Sequence, residues 1–192
     1  MRPLPFTWPY ALLFWAVEIW AFYPEMKIIR SSKRSETKDA KSLQVILFGL
    51  NAAFFIAFPI AFVHAFQIAA YRTEVFLTGV ALMIGGSIMR RHCFRMLGAS
   101  FTGEVRARSD QQVVKSGAYS VLRHPSYTAA IILNTGAGVA LGSWASILIL
   151  VVASLIVYSY RIAVEERALV TEIGDPYREF MKTRKRLIPY LY

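Results

Sequence analysis

Residues 111–127 read QQVVKSGAYSVLRHPSY, and this polar stretch lies between hydrophobic blocks of the chain. It combines a glycine, two tyrosines, basic side chains and the triplet Arg-His-Pro at 123–125. A second polar cluster, RIAVEE at 161–166, follows the next hydrophobic pair of segments. Most of the sequence outside these two clusters is apolar.

The composition predicts an integral membrane protein. Of the 192 residues, 56% are hydrophobic, and the mean hydropathy is +0.42. In a soluble protein, the formal net charge of +10 would suggest that nucleic acid is the binding partner. Basic residues that flank membrane spans and face anionic lipid explain this charge better, so we expect membrane lipids and no nucleic acid as partners. Cys93 is the only cysteine, which excludes an intrachain disulfide and a cysteine zinc cluster, and we expect no metal.

Five apolar segments approach the roughly 20 residues that cross a bilayer. The first follows Arg2 as a secretory signal would, but it lacks a small-x-small cleavage site, so we expect it to remain as a span. Pro59 in the second segment predicts a kink. We therefore expect one all-α, polytopic membrane domain over residues 1–192, with a C-terminal helical hairpin and spans at 8–29, 43–70, 75–97, 128–141 and 143–164.

Small residues in these segments predict close helix packing. The third segment carries Gly79, Gly85, Gly86 and Ser87. Gly138 and Gly142 form a small-xxx-small pair in the hairpin, which favours packing within the hairpin over pairing of two protomers. The sequence leaves the oligomeric state open, and a monomer is compatible with it.

The distribution of basic residues predicts the orientation. With the charged loop 30–41 in the cytoplasm, only Arg2 and Arg72 of the 22 basic residues fall outside. This arrangement satisfies the positive-inside rule, whereas its inverse violates it. We therefore expect an outside N-terminus, a cytoplasmic C-terminus and both polar clusters at the cytoplasmic face, in the inner membrane if the cell is prokaryotic.

Arg123, His124 and Pro125 have two interpretations. An arginine beside a span, an incidental histidine and a helix-starting proline would be an ordinary juxtamembrane sequence. The neighbouring Gly117, Tyr119 and Tyr127 favour instead a loop whose aromatic faces and hydrogen-bond donors hold a ligand.

Arg161, Glu165 and Glu166 lie at the end of a long apolar run. Arg161 and Glu165 are four residues apart and could form a surface salt bridge, although a base before an acid is the weaker order on a helix. Ionisable groups at this depth are costly and favour a functional role. The neighbouring Tyr158 and Tyr160 could contact a ligand cation, but we expect them to be interfacial aromatics.

Asn134 in the fourth segment also has two interpretations. It could form a hydrogen bond between helices, which is the favoured reading, or line a pocket for a lipid.

The ordered series of motifs resembles the isoprenylcysteine carboxyl methyltransferase family and its phospholipid methyltransferase relatives. The resemblance covers about the C-terminal half of the chain and matches the five-span prokaryotic-type branch. It rests on the 111–127 stretch, Arg161-x-x-x-Glu165-Glu166, Gly174-Asp175-Pro176-Tyr177 and the closing Arg186-Leu187-Ile188-Pro189. Gln111 stands where the family often has histidine, yet it can still donate and accept hydrogen bonds.

The resemblance implies methyl transfer from S-adenosylmethionine, with S-adenosylhomocysteine as product, to a lipophilic acceptor that enters from the bilayer. The most favoured acceptor is the carboxylate of an isoprenylcysteine-like substrate. It implies catalytic roles for Arg161 and Glu165 and contacts with the acceptor from Asn134, Tyr158 and Arg161. The implied cofactor-binding segments are 111–127 and 161–186, and the implied cofactor-binding residues are Gln111, Val114, Gly117, Tyr119, Arg123, His124, Pro125, Tyr127, Glu165 and Glu166.

Three other functions remain open from the sequence. One is N-methylation of a phospholipid or small lipid amine. Another is an NADPH-dependent membrane reductase, because sterol reductases have a similar C-terminus, although they are far longer. The third is a non-catalytic lipid-binding membrane protein.

Overall fold

A computed structural model describes residues 1–32, 40–97 and 113–188. Six α-helices make up most of these residues, joined by turns and short 3₁₀ segments. The all-α prediction is confirmed. The helices are α1 (Tyr10–Ser32), α2 (Ala40–Ile60), α3 (Arg72–Leu97), α4 (Pro125–Ala140), α5 (Trp144–Ile173) and α6 (Asp175–Thr183).

The described helices include three that are long and apolar enough to cross a membrane. These are the segments Ser42–Ile60, Arg72–Leu97 and Trp144–Ile173 of α2, α3 and α5. The apolar part of α1, Tyr10–Tyr23, is shorter. The 16 residues of α4 extend about 24 Å, less than the hydrocarbon thickness. The protein is thus a polytopic helical membrane protein, and the count of five spans stays a prediction.

Large apolar side chains cover the outside of the helices, as expected for surfaces that face lipid. Phe48 is 74% exposed and Phe55 is 81% exposed on α2, and Ile156 on α5 is 65% exposed. Exposed apolar area on this scale is unusual in a soluble monomer. The helices bury a different set of residues against one another, including Phe14, Ala57, Phe76, Met83 and Leu150.

Glycines bring α3 and α4 into backbone contact. A Cβ atom at Gly79 would lie 2.3 Å from the backbone nitrogen of Ala140, and one at Gly86 would lie 2.8 Å from the carbonyl oxygen of Ala129. Gly85 faces open space. The predicted close packing is therefore confirmed at Gly79 and Gly86.

A tight turn at Gly142 joins α4 to α5, which confirms the predicted hairpin. Gly142 has a φ of +67°, a value that glycine adopts without strain. Ser143 then caps α5 by accepting a hydrogen bond from the backbone N–H of Ser146. A Cβ at Gly138 would lie 2.8 Å from Cα of Ile147, so Gly138 packs within the hairpin.

Two expected details are wrong. The second apolar segment does not continue as a kinked helix to residue 70, because α2 ends at Ile60, directly after Pro59. Proline lacks the N–H that a continuing helix needs, and the chain turns at His64–Phe66 before α3. The third helix also begins earlier than expected, at Arg72.

Candidate active site

The loop that precedes α4 is shaped by a close approach to α3. Gly117 has a φ of +55°, and a Cβ there would lie 2.3 Å from Cε of Met96. The following 3₁₀ turn, Gly117–Ser120, buries the ring of Tyr119. Val114 is half-buried before this turn, whereas Gln111 lies outside the described residues.

The hydroxyl of Tyr119 is a buried donor. Tyr119 is 6% exposed, and its hydroxyl has no hydrogen-bond partner among the residues that the structure describes. Burial raises the pKa of Tyr119 above its usual value, so the hydroxyl keeps its proton. A buried polar group without a partner is costly, which marks this position as one that a ligand could satisfy.

The C-terminal segment docks against the Arg-His-Pro triplet. The backbone N–H of Arg123 donates to the carbonyl of Lys185 at 2.8 Å, and that of His124 donates to the carbonyl of Arg186 at 3.1 Å. Thr128 Oγ1 donates to the carbonyl of Leu187 at 2.7 Å. Pro125 then begins α4, where its missing N–H costs nothing. These contacts fix the positions of His124 and Arg123 at the start of α4.

Glu166 is surrounded by the side chains of basic residues. Its Oε1 lies 3.2 Å from His124 Nε2 and 2.9 Å from Arg123 Nε. Its Oε2 accepts hydrogen bonds from Arg186 Nε at 3.0 Å and Nη2 at 2.8 Å. The side chain is only 5% exposed. Both oxygens of Glu166 are thus engaged by protein groups that link the loop, α5 and the C-terminal segment.

Glu165 has a different environment, although it is the adjacent residue on α5. Its Oε2 accepts a 2.7 Å hydrogen bond from the hydroxyl of Tyr127, and its side chain is 28% exposed. The same hydroxyl accepts a hydrogen bond from Arg161 Nε at 3.4 Å. Tyr127 therefore connects Arg161 and Glu165 across the two helices.

Three aromatic rings form a stack inside the protein. The His124 and Tyr127 rings are 5.7 Å apart with an interplanar angle of 21°, and the Tyr127 and Tyr158 rings are 5.2 Å apart at 23°. The expectation that Tyr158 is an interfacial aromatic is wrong, because Tyr158 is 3% exposed. Its position on α5 turns it toward α4 rather than toward the bilayer surface. Tyr160 is 47% exposed.

Ser42 is a site residue that the sequence interpretation missed. Nη1 of the buried Arg161 donates a hydrogen bond to Ser42 Oγ at the beginning of α2. The two residues are 119 positions apart, and no motif connects them. Only the packing of α2 against α5 brings them together.

Asn134 forms the hydrogen bond between helices that the sequence favoured. Its Nδ2 donates to Ser154 Oγ at 2.9 Å, and both residues are buried. Asn134 lies seven residues after Tyr127, so the two share a face of α4. A contact between Asn134 and an acceptor stays a prediction.

Comparison with known proteins gives a consistent family match. The model of the isoprenylcysteine carboxyl methyltransferase (ICMT) family matches residues 79–171, which include α4 and most of α3 and α5. A protein-S-isoprenylcysteine O-methyltransferase from Schizosaccharomyces pombe is 29% identical over 138 residues, covering 71% of this chain and 56% of that protein. Another from Dictyostelium discoideum is 28% identical over 145 residues, covering 74% and 61%. The chain thus spans less than two thirds of the length of these relatives.

A solved structure also has a similar fold. The eukaryotic intramembrane Ras methyltransferase ICMT aligns with a TM-score of 0.64 at 22% sequence identity. The alignment covers 73% of this chain and 52% of that one. At this identity the likeness concerns the arrangement of the helices.

Proposed function

We propose that this chain is a member of the isoprenylcysteine carboxyl methyltransferase family, to which it is similar, and that it transfers a methyl group from S-adenosylmethionine to the carboxylate of a lipophilic, isoprenylcysteine-like acceptor. The observation that carries the proposal is the arrangement of Glu165, Tyr127 and Arg161. These residues place a partly exposed carboxylate and a buried guanidinium on either side of one hydroxyl.

The described residues fit S-adenosylmethionine. The side chain of Glu165 is 28% exposed, so its carboxylate can accept hydrogen bonds from the cofactor's amino group. The partnerless hydroxyl of Tyr119 supplies a donor.

Glu165 is a better candidate for the cofactor contact than Glu166. Both oxygens of Glu166 are engaged by His124, Arg123 and Arg186. A ligand would have to displace one of these buried contacts, which is costly. We therefore assign Glu166 to holding the loop and the C-terminal segment together, and Glu165 to the cofactor.

When bound, S-adenosylmethionine supplies an electrophilic methyl group on a sulfonium. Arg161 can hold the acceptor carboxylate by charge-assisted hydrogen bonds. Tyr127 and Ser42 hold the guanidinium of Arg161 in place. Fixing the acceptor oxygen relative to the methyl group is the main contribution such a site needs to make. Burial of Arg161 keeps water away and strengthens its attraction for the carboxylate.

The buried guanidinium of Arg161 favours an acidic acceptor over a lipid amine. A carboxylate can accept charge-assisted hydrogen bonds from this guanidinium, whereas an ammonium group would be repelled by it.

The contacts also support a common cytoplasmic side for the site. The start of α2, the start of α4 and the final part of α5 meet at one end of the bundle, through Ser42, His124, Arg161 and Glu166. Gly142 and Arg72 lie at the opposite end, where the carbonyl of Gly142 accepts from the N–H of Ile68. By the positive-inside rule, the end rich in basic residues faces the cytoplasm, and the acceptor tail extends from there between the helices into the bilayer.

The proposal is tested by measuring transfer of a tritiated methyl group from S-adenosylmethionine to N-acetyl-S-farnesylcysteine by the purified protein. Alkali hydrolyses a methyl ester and releases labelled methanol, whereas an N-methyl group stays attached. The matched control acceptor is the methyl ester of the same compound, which has no free carboxylate. We expect base-labile label with the acid and none with the ester. Label transferred instead to phosphatidylethanolamine in base-stable form would show that the acceptor is an amine.

A further inference from the structure

A basic cavity lies beside the C-terminal segment. Its volume is about 290 Å³, at the lower end of the range of small-molecule pockets. Its lining residues are Arg123, Met181, Lys182, Thr183, Arg184, Lys185 and Arg186. Five of these seven residues are cationic, and none is acidic.

Neighbouring carboxylates neutralise only part of this charge. Glu166 pairs with Arg123 and Arg186, and Glu179 pairs with Lys182 at 2.6 Å. Arg184 and Lys185 form no ion pair with any residue that the structure describes. Among the described residues, two carboxylates therefore face five cationic side chains.

Arg184 also has an unused hydrogen-bond donor. Its Nη1 donates to the carbonyl of Thr183 at 3.0 Å, but its Nε is buried and has no partner in the described part of the chain. A buried guanidinium N–H without an acceptor is costly and indicates that an acceptor is supplied from elsewhere. An oxyanion that reaches Arg184 and Lys185 would satisfy both the charge and this donor.

The cavity lies where the chain leaves the membrane. The last span, α5, ends at Ile173, and Gly174 turns the chain into the short helix α6. Helix α6 buries Tyr177 and Phe180 and exposes Arg178, Glu179 and Lys182. A basic group that directly follows a span is placed at the level of lipid headgroups, and basic pockets in this position suit anionic lipids.

We propose that this cavity is a binding site for a phosphate group, supplied by the headgroup of an anionic phospholipid or by a soluble phosphate. The arginine side chains suit phosphate because a guanidinium can donate two parallel hydrogen bonds to its oxygens. The cavity shares Arg123 and Arg186 with the Glu166 cluster, but the phosphate would bind Arg184 and Lys185, and this proposal does not depend on methyl transfer. Arg123 lines the cavity and contacts Glu166, so its substitution would disturb both sites.

The test uses the full chain in detergent and a variant with Arg184→Gln and Lys185→Gln. Its matched control is Arg167→Gln with Arg178→Gln, which removes the same charge from exposed positions outside the cavity. Native mass spectrometry counts bound phosphatidylglycerol, with phosphatidylcholine as the zwitterionic comparison. A parallel thermal-shift titration uses inorganic phosphate against chloride at equal ionic strength.

The expected result is retention of phosphatidylglycerol by the wild-type protein, with an affinity that falls roughly tenfold or more in the cavity variant and about twofold or less in the control. A different outcome would identify a soluble phosphate as the ligand. In that case inorganic phosphate would stabilise the wild-type and control proteins but not the cavity variant, and the wild-type protein would not bind phosphatidylglycerol selectively. The proposal would be overturned if a folded cavity variant bound both phosphatidylglycerol and inorganic phosphate as well as the wild-type protein does.

Discussion

The hydroxyl of Tyr127 donates a 2.7 Å hydrogen bond to Glu165 Oε2, which joins the first turn of α4 to the C-terminal part of α5. The hydroxyl oxygen of Tyr127 also accepts a hydrogen bond from Arg161 Nε. One phenol therefore orients both Glu165, the proposed cofactor ligand, and Arg161, the proposed acceptor ligand. This shared contact makes Tyr127 the residue whose loss should affect both halves of the reaction.

Tyr127→Phe keeps the aromatic stack with His124 and Tyr158 but removes the hydroxyl. Because a hydrogen bond to a charged group is lost, we expect kcat/KM for methyl transfer to fall by roughly tenfold or more. Steady-state methyl-transfer kinetics measure the change. Tyr160→Phe is the control, since Tyr160 is exposed, and it should leave the rate unchanged. Equal rates for the two variants would refute a positioning role for the Tyr127 hydroxyl.

Glu166→Gln should mainly reduce stability. It leaves Arg123, Arg186 and His124 without their buried carboxylate, and breaking such a buried pair typically costs about 3 kcal/mol. Glu165→Gln removes a partly exposed carboxylate and should cost less than about 1 kcal/mol. Thermal unfolding in detergent compares the two variants directly. A larger loss of Tm in Glu165→Gln would reverse the roles that we assign to the two glutamates.

Gly79→Ala should destabilise the contact between α3 and α4. Its new Cβ would collide with the backbone of Ala140, and overpacking of this kind costs about 1–3 kcal/mol. Gly85→Ala is a matched control on the same helix, because its Cβ meets nothing within 4 Å. We expect Tm to fall for the first variant and to stay unchanged or rise for the second. Indistinguishable Tm values would contradict the backbone contact at Gly79.

The orientation can be tested with single cysteines and a membrane-impermeant maleimide. Native Cys93 is buried and contributes little background labelling. Arg178→Cys places a thiol on the exposed face of α6, and Thr73→Cys places one at the opposite end of the bundle. We expect Arg178→Cys to react only in inside-out vesicles and Thr73→Cys only in right-side-out vesicles. The opposite pattern would place the site outside the cell.

The sequence predicts the helices and the hairpin well because their signals are local. Apolar runs and the glycine at 142 define α4, α5 and the turn between them, and Gly174 marks the end of α5. Pro59 shows the limit of such local reasoning. A proline in an apolar run is compatible with either a kink or a helix end. In the structure the helix ends at Ile60, and a turn at His64–Phe66 follows.

The site is less predictable because its decisive contacts join distant segments. The motifs indicate His124, Arg161 and the two glutamates, but they do not distinguish Glu165 from Glu166. Adjacent residues on a helix differ by about 100° in direction, so one glutamate reaches Arg123 and Arg186 while the other reaches Tyr127. The contact of Ser42 with Arg161 depends on the packing of α2 against α5, for which the sequence carries no local signal.

The central claim, that this site binds the methyl donor, is tested most directly by calorimetric titration of S-adenosylhomocysteine into the detergent-purified protein. Glu165→Gln is the site variant, Glu172→Gln is the matched control at an exposed position of α5, and NADPH is titrated in parallel. We predict saturable binding by the wild-type protein and the control, a loss of most of the affinity in Glu165→Gln, and no heat with NADPH. Binding that Glu165→Gln leaves unchanged, or no binding by the folded wild-type protein, would contradict the account.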